Sequence, residues 1–380
     1  MTKFVTKCAA ATLLAVAPLV ALPMQAKAED QRLTPPLIID GEVERGIWLY
    51  GQVNKGILFA DDGNQVNAYP LVDNSNSSTR AGIWFKREFD AGLTFGANLE
   101  YEWNPYSTGN VNRNNKGDID WDTHKMRKAE GVLQSPYGTV WLGQGSMASD
   151  GVSEADLSGT ALVAYSSVAD SAGGQLFTTN TGAVSTISVG SAFSNLSGLG
   201  RLTRIRYDTP SFEGFTLKTS AGFDAISGDD DIGWDVAGTY DRSMEAVDLS
   251  VALGYGRPDG DFNRFSGSAS VLHKETGLNL TFAAGTDDNS GSDPFFLYGK
   301  LGWKPDWSDI GGTAFAIDIY SGDDIATAGS DSFSVGFGAV HSLPQIQTDL
   351  YLTVRWHDYD DNAATYEPVT AVLTGLRFWF

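Results

Sequence analysis

The chain has 380 residues, and its 47 Asp and Glu outnumber its 26 Lys and Arg, so that its formal net charge is −21. Such an acidic chain is a poor ligand for nucleic acid and for anionic lipid surfaces. Its single cysteine, Cys8, lies close to the amino terminus, so neither disulfides nor cysteine catalysis are expected in the rest of the chain. The length alone would allow two or three domains, although closed β-barrels of this size form a single domain.

Residues 1–28 have the pattern of a secretory signal peptide. Lys3 and Lys7 precede a short apolar run, and a small-x-small cleavage site follows at Ala26-Lys27-Ala28. An uncleaved membrane anchor is the alternative, but the apolar run is short for a transmembrane helix. Cleavage at this site removes three lysines and no acid, which leaves 23 basic residues against 47 acids and a formal charge of −24.

Apolar and polar residues alternate in short segments from Gly46 to the carboxy terminus, with turn residues between the segments. In residues 93–103, Leu93, Phe95 and Leu99 share one face, and Glu100 lies on the opposite face. Sixteen segments have this pattern: 46–60, 79–90, 93–103, 123–134, 139–145, 201–209, 215–224, 233–242, 247–256, 262–274, 278–285, 295–304, 313–321, 331–342, 347–357 and 368–380.

An even number of such strands, joined by alternating short and long connections, predicts a 16-stranded antiparallel transmembrane β-barrel over residues 29–380. One face of each strand would lie in lipid and the other in water. A soluble β-sandwich also has many short strands. It would not repeatedly place aromatic residues such as Trp103, Tyr255, Trp303, Trp356 and Tyr359 at strand ends, where a membrane barrel has its aromatic girdles.

The longest connection, residues 146–200, contains no Lys or Arg and carries four acids, Asp150, Glu154, Asp156 and Asp170. Sixteen strands would form a tube roughly 32 Å across, which needs an obstruction if it is to retain small proteins. We therefore expect this long third loop to fold into the lumen and to set the size and charge of a pore. A surface or disordered insert is the alternative for a loop of this length.

Three stretches resemble Gram-negative general diffusion porins, and the set is most similar to porins of alphaproteobacteria. They are the opening segment LYGQVNKG from Leu49, the segment SPYGTVWLGQ from Ser135 that leads into the long loop, and RIRYDTPSFEGF from Arg204. The carboxy-terminal Phe380 is similar to the assembly signal of that family.

The resemblance implies a trimeric 16-stranded barrel whose third loop carries acids that face basic residues on the wall. The basic residues would come from Arg80, Lys86, Arg127, Lys128, Arg204 and Arg206. The alternation is ambiguous around Lys125-Met126-Arg127-Lys128, so either Arg127 or Lys128, but not both, is expected to face the lumen. Ordinary pairing of Arg204 and Arg206 with acids such as Asp208 is the alternative to a role in the pore.

Clusters of Asp occur in the predicted outer loops, and carboxylates suit Ca²⁺. The best candidate is Asp229-Asp230-Asp231, although solvated turn residues are the alternative. No cofactor is otherwise expected.

The sequence and this resemblance together predict an outer-membrane porin of a Gram-negative bacterium, which lets small hydrophilic solutes and ions diffuse through a water-filled channel, and the resemblance implies that it is a homotrimer. Its expected partners are outer-membrane lipid, lipopolysaccharide and the barrel-assembly machinery. The excess of acids predicts a weak preference for cations. A substrate-selective channel and, less favoured, a barrel enzyme are the alternatives. None of the four histidines lies in a recognisable catalytic motif, so we expect no enzymatic activity.

Overall fold

A computed structural model describes residues 45–116, 124–228, 231–258, 262–288 and 291–380. The predicted signal peptide lies outside these ranges. No helix among the described residues is long and apolar enough to cross a membrane.

Sixteen antiparallel strands of the described residues close into one barrel, which confirms the predicted fold class. They are β1 (Arg45–Asp61), β3 (Arg80–Phe89), β4 (Leu93–Trp103), β5 (His124–Ser135), β6 (Gly138–Ser146), β9 (Arg201–Asp208), β10 (Phe215–Phe223), β11 (Gly233–Ser243), β12 (Val247–Arg257), β13 (Asn263–His273), β14 (Leu278–Asp288), β15 (Phe295–Trp303), β16 (Gly312–Asp323), β17 (Asp331–Leu343), β18 (Thr348–Asp360) and β20 (Val369–Trp379). Each strand pairs with the next, and β20 pairs with β1 to complete the barrel.

Burial alternates along the strands as the sequence predicts. In β4, Asn98 and Glu100 point inward and are 1% exposed, whereas Leu99 between them points outward and is 52% exposed. The outward faces of the other strands carry the same kind of residue, for example Phe282 and Leu297. An apolar outer surface around a polar interior is the arrangement of a barrel that spans a lipid bilayer.

An additional strand, β2 (Val66–Asp73), shares with β3 the place next to β1 in the wall. The carboxy-terminal part of β1, residues 55–61, pairs with β2, and its amino-terminal part, residues 45–52, pairs with β3. Residues 74–79 between β2 and β3 include a short 3-10 turn, and the Asn74 side chain donates a hydrogen bond to the Leu162 carbonyl of the long loop at 2.9 Å. No predicted segment covers residues 61–78, and β2 lies within this gap, where Pro70 and the left-handed Leu71 interrupt the alternation.

The carboxy terminus closes the barrel by backbone pairing. The Gly51 amide donates to the Phe380 carbonyl at 3.0 Å, and the Phe380 amide donates to the Gly51 carbonyl at 3.1 Å. A Cβ at position 51 would lie 2.6 Å from the Phe380 ring, so a glycine is needed for the ring to cover this point of the seam. The role of Phe380 as an assembly signal stays a prediction.

Most of the predicted rim aromatics lie on the outward face, but Tyr359 does not. Its side chain is 1% exposed and points inward, where its ring packs 5.4 Å from Phe177 and 5.2 Å from Tyr366. Tyr359 belongs to the alternate residues of β18 that point inward, so its position near the strand end does not place it in an aromatic girdle.

The long loop contains most of the remaining regular structure. A small sheet joins β7 (Leu176–Thr179) and β8 (Val184–Ser188) of this loop to β19 (Tyr366–Glu367). A single helical turn, α1 (Val189–Ala192), follows β8. Other 3-10 turns lie at Asp90–Gly92, Val168–Ser171 and Pro344–Ile346.

Candidate functional site

The long loop leaves the wall between β6 and β9 and returns there. The Met147 amide donates to the Gly200 carbonyl at 2.9 Å, which joins the two ends of the loop. Arg206 of β9 donates to the carbonyls of Ser146 and Met147 at 3.2 and 3.1 Å. The loop has no basic residue of its own, so a wall arginine binds the carbonyls at its start.

Backbone amides of the loop are bonded to polar side chains on the inner wall. Ala148 donates to Ser220 Oγ at 2.8 Å and Ser149 to Asp235 Oδ2 at 2.8 Å. Further along, Ala155 donates to Ser268 Oγ at 2.8 Å and Leu157 to Ser270 Oγ at 3.0 Å. These bonds replace the strand pairing that the loop lacks, because buried amides require an acceptor. The loop therefore lies inside the barrel, as predicted, and it runs along β10, β11 and β13.

The second half of the loop is attached to the wall by apolar packing. Val168, Phe177, Phe193 and Leu196 are all buried in one cluster with wall residues. The wall side of this cluster consists of Ala283, Phe296, Tyr298, Tyr320, Tyr359 and Val369. Both halves of the loop are thus fixed inside the barrel, which excludes the alternative of a surface insert.

The four loop acids do not form one charged row facing the lumen. Asp156 is paired with Lys300 of β15, and both side chains are almost completely buried. Lys300 also donates to the Ala164 carbonyl at 2.8 Å, so it joins two parts of the loop. Asp150 meets a basic residue of the wall that was not predicted, through a contact of 4.0 Å between its Oδ2 and Arg201.

The other two acids are held in a polar environment within the loop. Asn195 donates to Glu154 Oε1 at 3.1 Å, and burial together with repulsion from Asp150 raises the pKa of Glu154 to about 7. Asp170 accepts a hydrogen bond from the Tyr165 hydroxyl, and burial raises the pKa of its carboxyl. At neutral pH Glu154 therefore carries only part of a negative charge.

Arg80 is the centre of a group of basic side chains on the wall. It lies on the inward face of β3, is 8% exposed, and has no hydrogen-bond partner for its Nε among the described residues. The charges of Arg127, Arg201 and Arg377 repel that of Arg80, and Glu100 attracts it. We call Arg80, Arg127, Arg201 and Arg377 the arginine cluster.

A β-bulge brings both Arg127 and Lys128 to the lumen side, contrary to the sequence expectation. Glu100 pairs with Lys128 and Tyr101 with Met126, so Arg127 has no partner across the ladder. Because of the extra residue, the side chains of Lys128 and Arg127 point to the same side of the sheet although they are adjacent in sequence. Arg127 then reaches Glu100 at 2.7 Å and also bonds to Glu102 on the inward face of β4.

The remaining predicted bases have structural partners. Arg204 donates to Glu130 at 2.6 Å and to the Gly143 carbonyl at 2.8 Å. Arg206 forms two bonds to Asp208, at 2.8 and 2.9 Å, as the alternative reading expected. Lys86 pairs with Glu88 at 2.6 Å, six residues along β3 from Arg80.

Sequence reasoning missed Lys300, Arg201 and Arg377. Arg377 alternates with outward apolar residues in the last strand, so its inward direction was visible in the pattern. Its bond to Asp349 at 2.7 Å and its closeness to Arg80 depend on the closure of the barrel. Lys300 was also on an inward parity, but nothing in the pattern linked it to Asp156.

The predicted calcium site lies mostly outside the described residues, which include only Asp231 of its three acids. In the part of the chain that the structure describes, no group of three or more His, Cys, Asp or Glu side chains is arranged to hold a metal ion. The site therefore stays a prediction.

Comparisons with known proteins agree with this architecture. A family profile described as Gram-negative porin matches residues 10–362. No curated protein matches the chain in sequence. Among solved structures, the anion-selective porin from Comamonas acidovorans is 17% identical with a TM-score of 0.59, and the match covers 89% of this chain and 100% of that one.

Two further solved structures share the fold. A mutant of the porin from Rh. blastica is 20% identical with a TM-score of 0.51, covering 88% of this chain and 100% of that one. The trimer form of OmpT, an outer membrane protein of Vibrio cholerae, is 12% identical with a TM-score of 0.55, covering 89% and 100%.

The family and the fold point to a channel rather than an enzyme. The alternating apolar face explains how the barrel lies in a membrane, and the internal loop with its wall charges explains how its lumen is narrowed. The chain therefore belongs to the Gram-negative porin family and is an outer-membrane β-barrel channel.

Proposed function

We propose that this porin forms a water-filled channel for passive diffusion of small hydrophilic solutes, and that its constriction favours anions. The observation that carries the proposal is Arg80, a largely buried guanidinium without a partner for its Nε, beside three other arginines. A positive charge on the wall of a narrow aqueous pore attracts anions and repels cations, and Arg80 is bonded to no carboxylate through its Nε.

The cation preference expected from the sequence assumed that the loop acids are charged and free to face the lumen. Lys300 neutralises Asp156, the pKa of Glu154 is raised to about 7, and Asp170 is bonded to the Tyr165 hydroxyl within the loop. Of the four loop acids, Asp150 alone lies beside the arginine cluster, while the wall acids Glu100, Glu102 and Asp349 are already bonded to its arginines. The many acids elsewhere in the chain are less important for selectivity, because charges farther than a Debye length, about 10 Å at 0.1 M salt, are screened.

The test is the zero-current potential of the purified protein in a planar bilayer across a tenfold KCl gradient. At pH 7.4 we expect the sign of the zero-current potential to show that chloride is more permeant than potassium. In Asp150→Asn, which removes the loop acid nearest the cluster, we expect a potential of the same sign and larger magnitude. A wild-type potential whose sign shows that potassium is the more permeant ion would refute the proposal. Asp156→Asn is a poor probe, because it would leave Lys300 buried without its partner.

A substrate-selective channel remains the second candidate, as an arginine cluster also suits solutes with carboxylate or phosphate groups. Liposome swelling distinguishes the two. A general pore admits neutral and anionic solutes in order of size, whereas a selective channel admits one anionic class far faster than neutral solutes of the same size.

We further propose that the functional unit is a homotrimer. The comparison with a trimer form supports an oligomer. Lys55 supports an interface near β1, because it has the outward parity of that strand and pairs with Asp73 at 3.0 Å beside a bulge. A charged pair is better accommodated at a protein contact than in lipid. Cross-linking that gave monomer alone would contradict this.

Binding of lipopolysaccharide and of the assembly machinery stays a prediction.

A further inference from the structure

A buried histidine lies behind the long loop and takes no part in the charges described above. His357 is on the inward face of β18, is 0% exposed, and has no hydrogen-bond partner for either Nδ1 or Nε2 within the described residues. The ring of Phe193 from the loop covers it at a centroid distance of 4.9 Å. A neutral imidazole has one donor and one acceptor, so burying both without partners is unfavourable, and burying the charged form is much more so.

The surroundings offer no compensation for a positive charge on His357. On its own strand, Arg355 repels such a charge. The nearby carboxylate on β16, Asp318, already receives two bonds of 2.7 Å from Arg355. The residues opposite His357 on the adjacent strands, Ser334 and Val369, carry no charge.

The other titratable side chains of the apolar cluster that contains Phe193 are Tyr298, Tyr320, Tyr359 and Tyr366, and a tyrosine carries no charge at neutral pH. Tyr320 of β16 is bonded through its hydroxyl to the backbone of Ser194, and Tyr359 lies next along β18. Phe193 and its two neighbours in the loop have no titratable side chain. The docked loop therefore accommodates neutral His357 alone.

The loop segment over His357 is attached by few bonds. Ser332 Oγ donates to the Ala192 carbonyl at 2.6 Å. The Ser194 amide donates to Tyr320 Oη at 3.2 Å, and Tyr320 donates to the Ser194 carbonyl at 2.7 Å. Together with the Phe193 ring, these contacts hold residues 192–194 against the wall.

This segment is connected to the constriction through its next residue. The Asn195 side chain donates to Glu154 Oε1 and to Ser166 Oγ, each at 3.1 Å. A displacement of residues 192–194 would draw Asn195 away from Glu154. The bond from Asn195 to Glu154 thus links the constriction to the segment whose Phe193 ring packs on His357.

We propose that His357 is an acid-sensitive latch, whose protonation releases residues 192–195 of the long loop from the wall and alters the constriction. Hydration of the imidazolium requires the Phe193 ring to move away, so acid favours the released state and neutral pH the docked state. The proposal rests on the loop lining the conducting path, as the proposed function requires.

The test compares wild type with His357→Phe, which keeps an aromatic ring against Phe193 and removes both nitrogens. Hydrogen–deuterium exchange of the peptide covering residues 192–196 is measured in the folded protein at pH 7.5 and 5.0, corrected for the intrinsic effect of pH on exchange. We expect corrected exchange to rise at least tenfold at pH 5.0 in wild type and less than twofold in His357→Phe. Equal increases in both proteins would overturn the proposal.

Two matched controls separate His357 from other titrating groups. His273 and His341 have Nδ1 bonded to threonine hydroxyls at 2.8 and 2.9 Å, so His273→Phe and His341→Phe should keep the wild-type response. Glu154→Gln should also keep the exchange response. Loss of the response in these variants would overturn the assignment to His357.

Single-channel current supplies the second readout. The conductance of wild type should change between pH 7.5 and 5.0, and that of His357→Phe should change less than half as much. If exchange at residues 192–196 rises in acid but the single-channel current of wild type and His357→Phe responds equally to pH, the link between the latch and the constriction is refuted. The proposed anion preference is measured separately at pH 7.4, where residues 192–195 are docked on the wall. Either proposal can therefore be refuted without refuting the other.

Discussion

Neutralising Arg80 should lower the anion preference of the pore. Arg80→Gln removes the charge at the centre of the arginine cluster. The variant should fold, because Arg80 Nε has no partner, and because Glu100 keeps its bonds to Arg127 at 2.7 Å and to Tyr50 at 2.9 Å. No carboxylate is left buried without a donor, so an effect on selectivity would report on charge rather than on damage to the wall.

The size of the effect follows from Coulomb's law. A unit charge roughly 5 Å from an ion in water contributes about 0.8 kcal/mol, which screening in 0.1 M salt reduces to about 0.5 kcal/mol. The contribution has opposite sign for K⁺ and Cl⁻, so the permeability ratio should change by about 1 kcal/mol, or about fivefold. In 1 M salt, where the Debye length is about 3 Å, the change should fall below about twofold.

The assay is the zero-current potential across a tenfold KCl gradient, at low and at high mean salt. Lys86→Gln is the matched control, because it removes one positive charge from the same face of the same strand. Lys86 lies six residues from Arg80, about 20 Å away along the strand, or about two Debye lengths at 0.1 M salt. An unchanged potential in Arg80→Gln, or an equal change in both variants, would refute the placement of Arg80 at the constriction.

Three further predictions concern the loop and the seam. The raised pKa of Glu154, about 7, means that this residue is charged at pH 8 and neutral at pH 6, so the anion preference should increase as the pH falls through 7. Lys300→Met should destabilise the folded protein by about 3–5 kcal/mol in thermal or denaturant unfolding, because it leaves Asp156 buried without its partner, and adding Asp156→Asn should recover part of the loss. Deleting Phe380 removes two backbone hydrogen bonds at the seam and should slow assembly, measured as the rate at which the heat-modifiable form appears on detergent gels.

Each of these has an outcome that contradicts it. The selectivity change between pH 8 and 6 should be absent in Glu154→Gln, and its persistence there would assign it to another group. Equal stability of Lys300→Met and wild type would mean that the ion pair does not fix the loop. Unchanged assembly kinetics after deletion of Phe380 would remove its special role.

The sequence by itself determined the wall of this protein. A membrane barrel places every second side chain in lipid, so period-two alternation marks each strand whatever its partners are, and the 16 predicted segments agree with the observed strands to within a few residues. The signal fails where the local backbone departs from regular geometry. At Leu71 a left-handed residue hides β2, and at Arg127 a bulge reverses the parity.

The tertiary structure alone decided the charges of the pore. Composition counts every acid equally, but pairing depends on which side chains the closed barrel brings together. Asp156 meets Lys300, 144 positions away in the chain, and loses its influence on the lumen. Arg377 reaches Arg80 because β20 closes against β1, which itself pairs with β3. A periodic pattern reports the direction of a side chain but not its partner, and selectivity depends on the partners.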